Sequence, residues 1–564
     1  MISKSYERLL VVLLALCGAG ATLFITPTFS SEPVDQPKLT VIVIIGFAIS
    51  GALLVKANLV LRRFSRILKI LVLLFITQLF LVLAFAKSPF TQQFYGSYGR
   101  NTGFLAYISL IFIMLGSAVI STKAKLETLA KALIFTGLVS VAYSTIQTLG
   151  HDPVKWNNPN NPIIGFLGNP DFASSFLGIA GVALFAYALQ QNLKPTLRVL
   201  AIFFVILSVL LIVRSHAQQG LLVFAAGSAF VAYHFLKTSA KLGDRKIIVG
   251  YLSLATVASI FVIAGTLKLG PLANKLYKIS VRQRGFYWHA AIEMMNSHPL
   301  TGVGMDSYGD YYFKYRSANA AFHTPGTQSN TAHNIFLDLG SNGGWPLFLI
   351  NLALCLLGFW AGLKVLKREN KFNWGFIAIF GSFVAYEAQA VVSINQLGIG
   401  IWGWILLGLI VGYEYQTRIP RSSISTKEIK PTVVGRRVKS KNGGNDYIYG
   451  SMAGLVVGLA IALPIFLNDH NYRIAQQSRN AQVVIAASLR TPEDLNRTLQ
   501  TAQLLINSKL TPQAITLIDH VISRNPNSYG AWTLKHDITA PGSKEHNLAI
   551  KKLNELNPRV PVAQ

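Results

Sequence analysis

Apolar runs of about twenty residues recur along most of this chain and leave little choice of fold. A membrane-spanning helix needs roughly 20 mostly apolar residues, and only helices or closed barrels satisfy their own backbone hydrogen bonds in lipid. Hydrophobic residues make up 52% of the 564 residues and charged residues only 13%. The sequence therefore predicts an all-α, polytopic helical bundle in a membrane.

About thirteen of these runs are long enough to span. The first has no small-residue cleavage site and is followed by further spans, which favours an anchor over a removed signal peptide. The predicted spans are 9–27, 39–57, 68–86, 103–121, 130–148, 172–190, 197–213, 219–236, 247–266, 344–363, 374–393, 396–415 and 449–467.

The formal charge of +28 comes from lysines and arginines whose placement along the chain indicates how the spans are oriented in the membrane. Lysine and arginine concentrate in alternate loops, among them 56–69, 123–131, 237–246 and 364–371. Short basic loops stay cytoplasmic. The pattern predicts a cytoplasmic N-terminus and, with an odd number of spans, a C-terminal part outside the cytoplasm. The charge needs no nucleic-acid partner to explain it.

This topology divides the chain into a membrane core and an appended outer domain. The core is predicted at 1–415, with a large extracytoplasmic loop at about 267–343. A basic cytoplasmic linker at 416–448 leads to an additional span at 449–467, and 468–564 form the outer domain. Because the cytoplasmic loops are short and basic, any chemistry is expected on the outer face.

The outer domain shows paired helical segments in place of spanning runs. Asn525 and Asn557, each followed by proline, recur about one repeat apart, as in tetratricopeptide-like repeats. Thr491 and Thr511, also followed by proline, are predicted helix N-caps. Stacked repeats present a concave surface, which suits an acceptor or a partner protein. An unspecialised helical bundle is the alternative.

The long outer segment carries polar groups suited to chemistry, beginning with "RGFYWHAAIEMMNSHPLTGVG". Arg284 and Trp288 are four residues apart and share a helix face. The helix is predicted to break at His298, and the following glycines allow a tight turn and close backbone approach. His333 and Asn334 then open the next apolar run. Taken singly, such an arginine is an interfacial anchor and such a histidine a structural residue.

Taken together, the motifs R-x-x-x-W, H-P-L-x-G-V-G, H-N-x-F-L and G-G resemble the signature of the O-antigen ligase and polymerase superfamily. That group includes lipopolysaccharide O-antigen ligases, O-antigen polymerases and bacterial O-oligosaccharyltransferases. The resemblance is specific over 284–346 and looser over about 90–415. "GSYGRNTGF" and "GNPDFASSFL" are similar to segments of members with C-terminal helical repeats.

The resemblance implies a membrane glycosyltransferase of the bacterial cytoplasmic membrane. Such enzymes transfer a glycan from a polyprenyl diphosphate carrier to a hydroxyl of a lipid, protein or glycan acceptor. The transfer occurs outside the cytoplasm, with inversion, and without a metal or other cofactor. The sequence contains no D-x-D pair, so the divalent-metal site of many other glycosyltransferases has no obvious ligands.

The resemblance and the chemistry of a lipid diphosphate together suggest residue roles. Arg284 is the predicted diphosphate clamp, because arginine's planar fork matches phosphate oxygens two at a time. His333 is the predicted general base, since a neutral histidine accepts a proton near pH 7. Asn334 is expected to orient the histidine or the sugar.

The second phosphate contact departs from the family pattern. The family usually carries another arginine as S-R-G, whereas "VRSHAQQG" here places Gln219 before the glycine. Arg214, five residues earlier, or Arg100 is predicted to substitute for it. Arg282 is expected to act as an auxiliary charge.

Polar groups inside the predicted spans need a separate explanation. Glu387 lies within the span 374–393, and ionisable residues there are usually paired or functional. The preferred hypothesis pairs Glu387 with one of the arginines, and the alternative is a structural hydrogen bond to a neighbouring helix. Cys17 and Cys355 also lie in spans, where they are interpreted as plain membrane-core residues.

Three functions remain open at this stage. A ligase moves a finished glycan to its acceptor, whereas a polymerase moves the growing chain onto the next lipid-linked unit and gives a ladder of products. A transporter of lipid-linked sugars predicts inverted repeats and paired broken helices, which the sequence does not display. It would also leave the arginine and histidine motifs of the outer segment unexplained.

Overall fold

A computed structural model of the chain describes residues 3–120, 122–156, 163–239, 242–369, 371–418 and 445–562. Within these ranges the regular structure is helical, without strands, so the predicted all-α fold is confirmed. Up to residue 266 the α-helices are α1 (Lys4–Leu23), α2 (Asp35–Val55), α3 (Ala57–Val60), α4 (Arg66–Phe85), α5 (Phe90–Tyr95), α6 (Phe104–Ala118), α7 (Lys123–Thr148), α8 (Pro170–Ala188), α9 (Pro195–Arg214), α10 (Gln218–Thr238) and α11 (Arg245–Thr266).

The rest of the chain contains an outer segment, three further core helices and a tail. The outer segment contains α12 (Ala273–Leu276), α13 (Ile279–Ser297), α14 (Tyr308–Tyr315) and α15 (Ala318–His323). The core helices are α16 (Ile335–Arg368), α17 (Trp374–Val392) and α18 (Leu397–Arg418). The tail consists of α19 (Asp446–Gln477), α20 (Ala481–Ser488), α21 (Leu495–Asn507), α22 (Thr511–Arg524), α23 (Tyr529–Ile538) and α24 (Lys544–Leu556).

Each predicted span corresponds to one helix. Twelve described helices are long and apolar enough to cross a membrane. The predicted span 103–121 is instead α6, a shorter apolar helix of 15 residues. The chain is therefore an integral, polytopic helical membrane protein. Most of the basic linker predicted at 416–448 lies outside the described residues, which stop at 418 and resume at 445.

Two helices mark the centre and the edge of the bundle. The apolar stretch of α18 is entirely buried, and α18 packs against α1, α6, α16 and α17. None of the apolar stretch of α11 is buried, and α11 packs against α10 and α12. Apolar side chains left exposed on a spanning helix face lipid at no cost, because lipid tails are as apolar as they are.

Helix α19 is fastened to α2 through glycines. Gly450, Gly454 and Gly458 recur every fourth residue on the face that meets α2. A Cβ added to Gly51 would lie 2.0 Å from the Gly450 carbonyl oxygen, and one added to Gly454 would lie 2.0 Å from that of Phe47. Small residues at this spacing let two membrane helices approach at backbone contact. The contact therefore fixes where the tail begins.

The same helix carries the chain out of the membrane without a break. Its 32 residues correspond to roughly 48 Å of helix, against a hydrocarbon core about 30 Å thick. The predicted boundary between span and outer domain at 467 therefore falls inside one continuous helix. Beyond it, Asp469 accepts hydrogen bonds from the backbone N–H of Glu32 at 2.9 Å and from the Tyr98 hydroxyl at 2.5 Å.

The tail helices pack in sequence, α21 on α22, α22 on α23 and α23 on α24. This matches the predicted helical pairs, whereas the tetratricopeptide-like assignment stays a prediction. The predicted N-caps are wrong. Helix α21 is capped by the Asp494 side chain, because its carboxylate lies closer to the first turn than Thr491 does. Thr511 is already the first residue of α22, whose N-terminus has no side-chain cap.

Two glycine motifs of the sequence pack directly on one another. The N–H of Val303, in the H-P-L-x-G-V-G turn, donates to the Ser341 carbonyl at 2.8 Å, and that of Trp345 donates to Pro299 at 2.9 Å. Gly302 and Gly344 adopt positive φ values of 58° and 75°, and neither has space for a Cβ. The predicted tight turn and close backbone approach are confirmed, and they attach the outer segment to α16.

The orientation of the bundle gives a direct test. A reporter fused after Asn480 is expected to behave as external, and one fused at Lys439, which lies outside the described residues, as cytoplasmic. The physical reason is that α19 crosses between them while basic loops remain inside. Fusions to alkaline phosphatase and to a fluorescent protein at both positions measure this. Identical behaviour at the two positions would remove α19 from the set of spans.

Candidate functional site

His333 lies where the outer segment meets the membrane core. It has a positive φ of 49°, which is uncommon for a residue with a side chain. Its backbone N–H donates to Thr331 Oγ1 at 2.9 Å, and its ring stacks on that of Tyr287 with centroids 5.1 Å apart. Within the described ranges neither ring nitrogen has a hydrogen-bond partner. The turn therefore holds the imidazole while leaving both nitrogens open.

Arg284 lies on α13, one turn before Tyr287. Residues three apart on a helix are surface neighbours, so Arg284 lies on the side of α13 that stacks on His333. Its Nε donates to the Val392 carbonyl at the end of α17 at 2.8 Å, and its Nη1 to Ser280 at 3.4 Å. Among the described residues, Nη2 has no partner. One edge of the guanidinium is thus anchored and the remaining nitrogen is left free.

Asn334 and Arg284 both donate to consecutive backbone carbonyls at the end of α17. Asn334 Nδ2 donates to the Val391 carbonyl at 2.9 Å, and Arg284 Nε donates to the next carbonyl, that of Val392. The other polar atom, Asn334 Oδ1, accepts the N–H of Leu337 and caps α16. Both ends of the Asn334 side chain are therefore used in fixing the helix ends, which fits a positioning role more closely than contact with a sugar.

The charges around His333 favour its neutral form. Burial lowers the pKa of His333 to about 3, and the positive charges of Arg284 and Arg100 act in the same direction. Burial also lowers the pKa of Arg284, against the opposing fields of Asp171 and Tyr287. At neutral pH the site therefore pairs an uncharged imidazole with a guanidinium cation.

Arg100 belongs to a buried ion-pair network next to this site. Its Nε lies 3.2 Å from Asp306 Oδ1 and its Nη2 lies 3.4 Å from Asp338 Oδ2, and its Nη1 donates to the Asn330 carbonyl. Burial alone would lower the pKa of Arg100, but Asp306 and Asp338 outweigh it and the net shift is upward. A direct contact with phosphate would have to displace one of these carboxylates. The structure thus places Arg100 near His333, where its positive charge acts on the imidazole without a direct contact.

The three other polar candidates lie on α9, α10 and α13. Arg214 is the last residue of α9 and is exposed. Gln219, in the first turn of α10, is buried and donates to Ser175 Oγ at 2.9 Å. Arg282 lies on α13 two residues before Arg284, and its Nε is buried without a partner in the described parts of the chain. Gln219 is thus engaged with α8, whereas Arg214 is open to solvent.

Glu387 is separated from this group. Its carboxyl group lies near the Cys355 thiol of α16, and both residues line a small pocket together with Tyr107 and Trp404. Among the described residues no arginine pairs with it. The preferred pairing with an arginine is absent from the described structure, in which Arg284 donates to the Val392 carbonyl at the end of α17. The alternative, a structural hydrogen bond to a neighbouring helix, stays a prediction.

Two contributors to the site were not singled out from the sequence. Asp171, in the first turn of α8, acts electrostatically on Arg284, and Tyr287 provides the ring against His333. The i, i+3 spacing from Arg284 was a usable signal for Tyr287. Asp171 follows Asn169 and Pro170 at a helix start, where an acidic residue is ordinary, so nothing in the local sequence distinguished it.

The arrangement can bind an anion and accept a proton at neighbouring points. In the described ranges no cluster of three His, Cys, Asp or Glu side chains is arranged to hold a metal ion, and the metal-independent reaction stays a prediction.

Comparison with known protein families supports the resemblance seen in the sequence. Residues 203–352 match the family described as O-antigen ligase. The matched segment includes α10, α11, the outer segment with Arg284 and His333, and the first half of α16. No curated protein matches the chain. The resemblance to the O-antigen ligase superfamily is confirmed by this match, and it supports a membrane glycan ligase- or polymerase-type role.

Proposed function

We propose that this protein, with its O-antigen ligase segment, transfers a glycan from a polyprenyl diphosphate carrier to an acceptor hydroxyl on the outer face of the membrane. The observation that carries the proposal is the pairing of a neutral His333, both ring nitrogens open, with an Arg284 that keeps one free nitrogen. Transfer of this kind needs a proton acceptor for the incoming hydroxyl and a cation for the departing diphosphate.

Arg284 is the proposed clamp for the diphosphate. The carrier is a membrane lipid, so its head group lies at the level of the outer helix ends. Arg284 is anchored there through the Val392 carbonyl. The free Nη2 then binds a phosphate oxygen as negative charge develops on the leaving group, where fixed cations in a partly buried site are most effective. Arg214 and Arg282 are proposed to add to this field without replacing the clamp.

His333 is the proposed general base. As the acceptor oxygen attacks the anomeric carbon from the face opposite the diphosphate, its proton passes to a ring nitrogen of His333. The bond from the anomeric carbon to the diphosphate oxygen breaks, and the diphosphate leaves with the electron pair. Attack from the opposite face inverts the anomeric configuration. The stack on Tyr287 and the bond to Thr331 hold the imidazole for this transfer.

Donor binding is proposed to strengthen this base. A histidine with a pKa of about 3 is always neutral but is a weak proton acceptor. Burial is the largest cause of that low pKa, and the cations Arg284 and Arg100 lower it further. A bound diphosphate brings negative charge to Arg284, which offsets the cations and raises the pKa of His333. The imidazole would then be a stronger base with the donor in place than without it.

Reconstitution of the purified full-length protein tests the proposal. Lipid-linked glycans extracted from the source organism are incorporated in vesicles with a hydroxyl-bearing acceptor preparation from the same envelope. We expect glycan transfer together with release of the polyprenyl diphosphate. A ladder of products from lipid-linked units alone would identify a polymerase using the same site. Movement of the donor across the bilayer without bond cleavage would instead contradict the proposal and favour a transporter.

A further inference from the structure

An open cleft runs between the outer segment and the tail. It encloses about 1450 Å³, including the solvent space at its mouth. One wall is formed by α14 and residues 326–330 of the outer segment, and the other by α21 and α23 of the tail. The cleft does not include His333 or Arg284, so it is distinct from the site described above.

Hydrogen bonds join the outer segment to the tail beside the cleft. Asn525 and Asn557, the two asparagines that end the predicted repeats, both bind the outer segment. Asn525 Nδ2 donates to Asp310 Oδ2 at 3.1 Å, and Asn557 Oδ1 accepts from Arg316 Nη2 at 3.0 Å. Arg316 is fully buried in this contact. Because buried hydrogen-bonded groups are costly to separate, the cleft is a fixed feature of the fold.

Amide side chains line the cleft in a regular row. Asn496, Gln500 and Gln503 lie at i, i+4 and i+7 on α21 and are all exposed. This spacing places one amide per helical turn, about 5.4 Å apart, which is close to the length of one pyranose unit in a glycan. Gln328 and Asn330 are exposed on the opposite wall. Each amide offers both a donor and an acceptor, which suits the hydroxyls of a sugar.

The remaining lining favours an uncharged, ring-shaped ligand. Phe313 and Tyr529 pack with ring centroids 4.5 Å apart and border the cleft. Aromatic faces bind the apolar C–H faces of sugar rings. Among the described lining residues there is no lysine or arginine, whereas Asp306 and Asp310 are present. The cleft therefore lacks the cations that a diphosphate or an anionic lipid head group requires.

One residue of the cleft lining, Asn330, is close to His333 in the chain. Asn330 lies three residues before His333, a distance of at most about 11 Å even for a fully extended chain. Arg100 holds the Asn330 carbonyl, and Thr331 binds the backbone of His333. Arg284, in contrast, makes its contacts at the end of α17 and on α13. One end of the cleft, at Asn330, therefore lies within about 11 Å of the proposed base along the chain.

We infer that this cleft binds the acceptor, and that the acceptor is an uncharged glycan chain several sugars long. The identification of the bound glycan as the acceptor rests on the proposed function, whereas glycan binding in the cleft does not depend on it. Successive sugars hydrogen-bond the amide row of α21, a sugar ring lies against Tyr529, and the terminal hydroxyl reaches His333. The tail therefore selects the acceptor, while the membrane core holds the donor.

Site-specific photo-crosslinking in native membranes tests the inference on the full chain. A benzophenone amino acid replaces Gln503 in the cleft or, as a matched control, Gln513, an exposed glutamine of the tail outside the cleft. We expect irradiation to attach a glycan, detected by a carbohydrate stain as a mass increase, at position 503 and not at 513. Crosslinks at 503 to a protein without glycan, or none to glycan, would overturn the inference.

Kinetics supply the second arm. Gln500→Ala with Gln503→Ala is compared with Gln482→Ala and Gln513→Ala, using delipidated envelope glycan as the acceptor probe. The cleft variant is expected to raise KM for this probe roughly tenfold with kcat unchanged, since each lost hydrogen bond weakens binding several-fold. An unchanged KM overturns the inference. Glycan crosslinking that persists while His333→Ala retains full transfer would leave the cleft standing and remove only the proposed base.

Discussion

Replacing His333 by alanine is expected to lower glycan transfer by roughly 10²- to 10⁴-fold, the usual range for loss of a positioned general base. The side chain has no hydrogen bond among the described residues, so its removal costs the fold only the stack on Tyr287. Membrane insertion and abundance are therefore expected to stay near normal. Single-turnover transfer by the purified protein measures the effect, and His289→Ala, an exposed histidine on α13, is the matched control.

The pH profile of the unaltered enzyme sharpens this prediction. A base must be deprotonated to act, so activity is present above its pKa and lost below it. With the pKa of His333 near 3 in the free protein, kcat/KM is expected to hold well below pH 6.5, the ordinary histidine range. Because bound diphosphate raises that pKa, kcat is expected to fall at a higher pH than kcat/KM. Full activity of His333→Ala, or coincident profiles, would return His333 to a structural role.

The membrane core was predictable because lipid imposes a simple rule on sequence. A run long enough to span must be apolar throughout, so α4 or α9 can be identified without knowing any neighbour. The glycines of the outer segment were predictable for a similar reason. Gly302 and Gly344 adopt conformations that favour glycine, and each permits a backbone contact that any side chain would block.

The contacts that assemble the site were not predictable, because they join residues far apart in the chain. Arg100 was expected to bind phosphate, but Asp306 and Asp338, more than 200 residues away, engage its guanidinium. Glu387 was expected to meet an arginine and instead lies near Cys355 in the described structure. Nothing in the local sequence of these residues encodes their partners, and a periodic pattern carries no information on which helix faces which.

The tail shows the same limit at the level of domains. Its helices follow from their amphipathic spacing, and the recurring asparagines were correctly noticed. Their role in binding Asp310 and Arg316 depends on where α19 places the tail. That placement follows from glycine contacts with α2, a helix some 400 residues earlier in the chain. The cleft between tail and outer segment is a product of this assembly.

Arg284→Lys is the second substitution with a large expected effect, and it separates a phosphate clamp from a simple positive charge. Lysine keeps the charge, but it cannot hold the Val392 carbonyl through one nitrogen and present another to a phosphate oxygen. We expect transfer to fall by roughly 10²-fold, in the range measured when a single stabilising donor is lost. The rate of polyprenyl diphosphate release from the lipid-linked donor is the readout.

Arg282→Lys provides the control on the same helix, two residues earlier. Arg282 has no hydrogen-bond partner for its buried Nε in the described chain. Replacing its planar guanidinium by the ammonium group of lysine therefore removes no observed contact. A small effect at 282 with a large effect at 284 would assign the loss to geometry, because both substitutions preserve net charge. If lysine serves as well as arginine at 284, Arg284 is only a membrane-edge anchor. The diphosphate must then be held elsewhere, and the exposed Arg214 becomes the first residue to test.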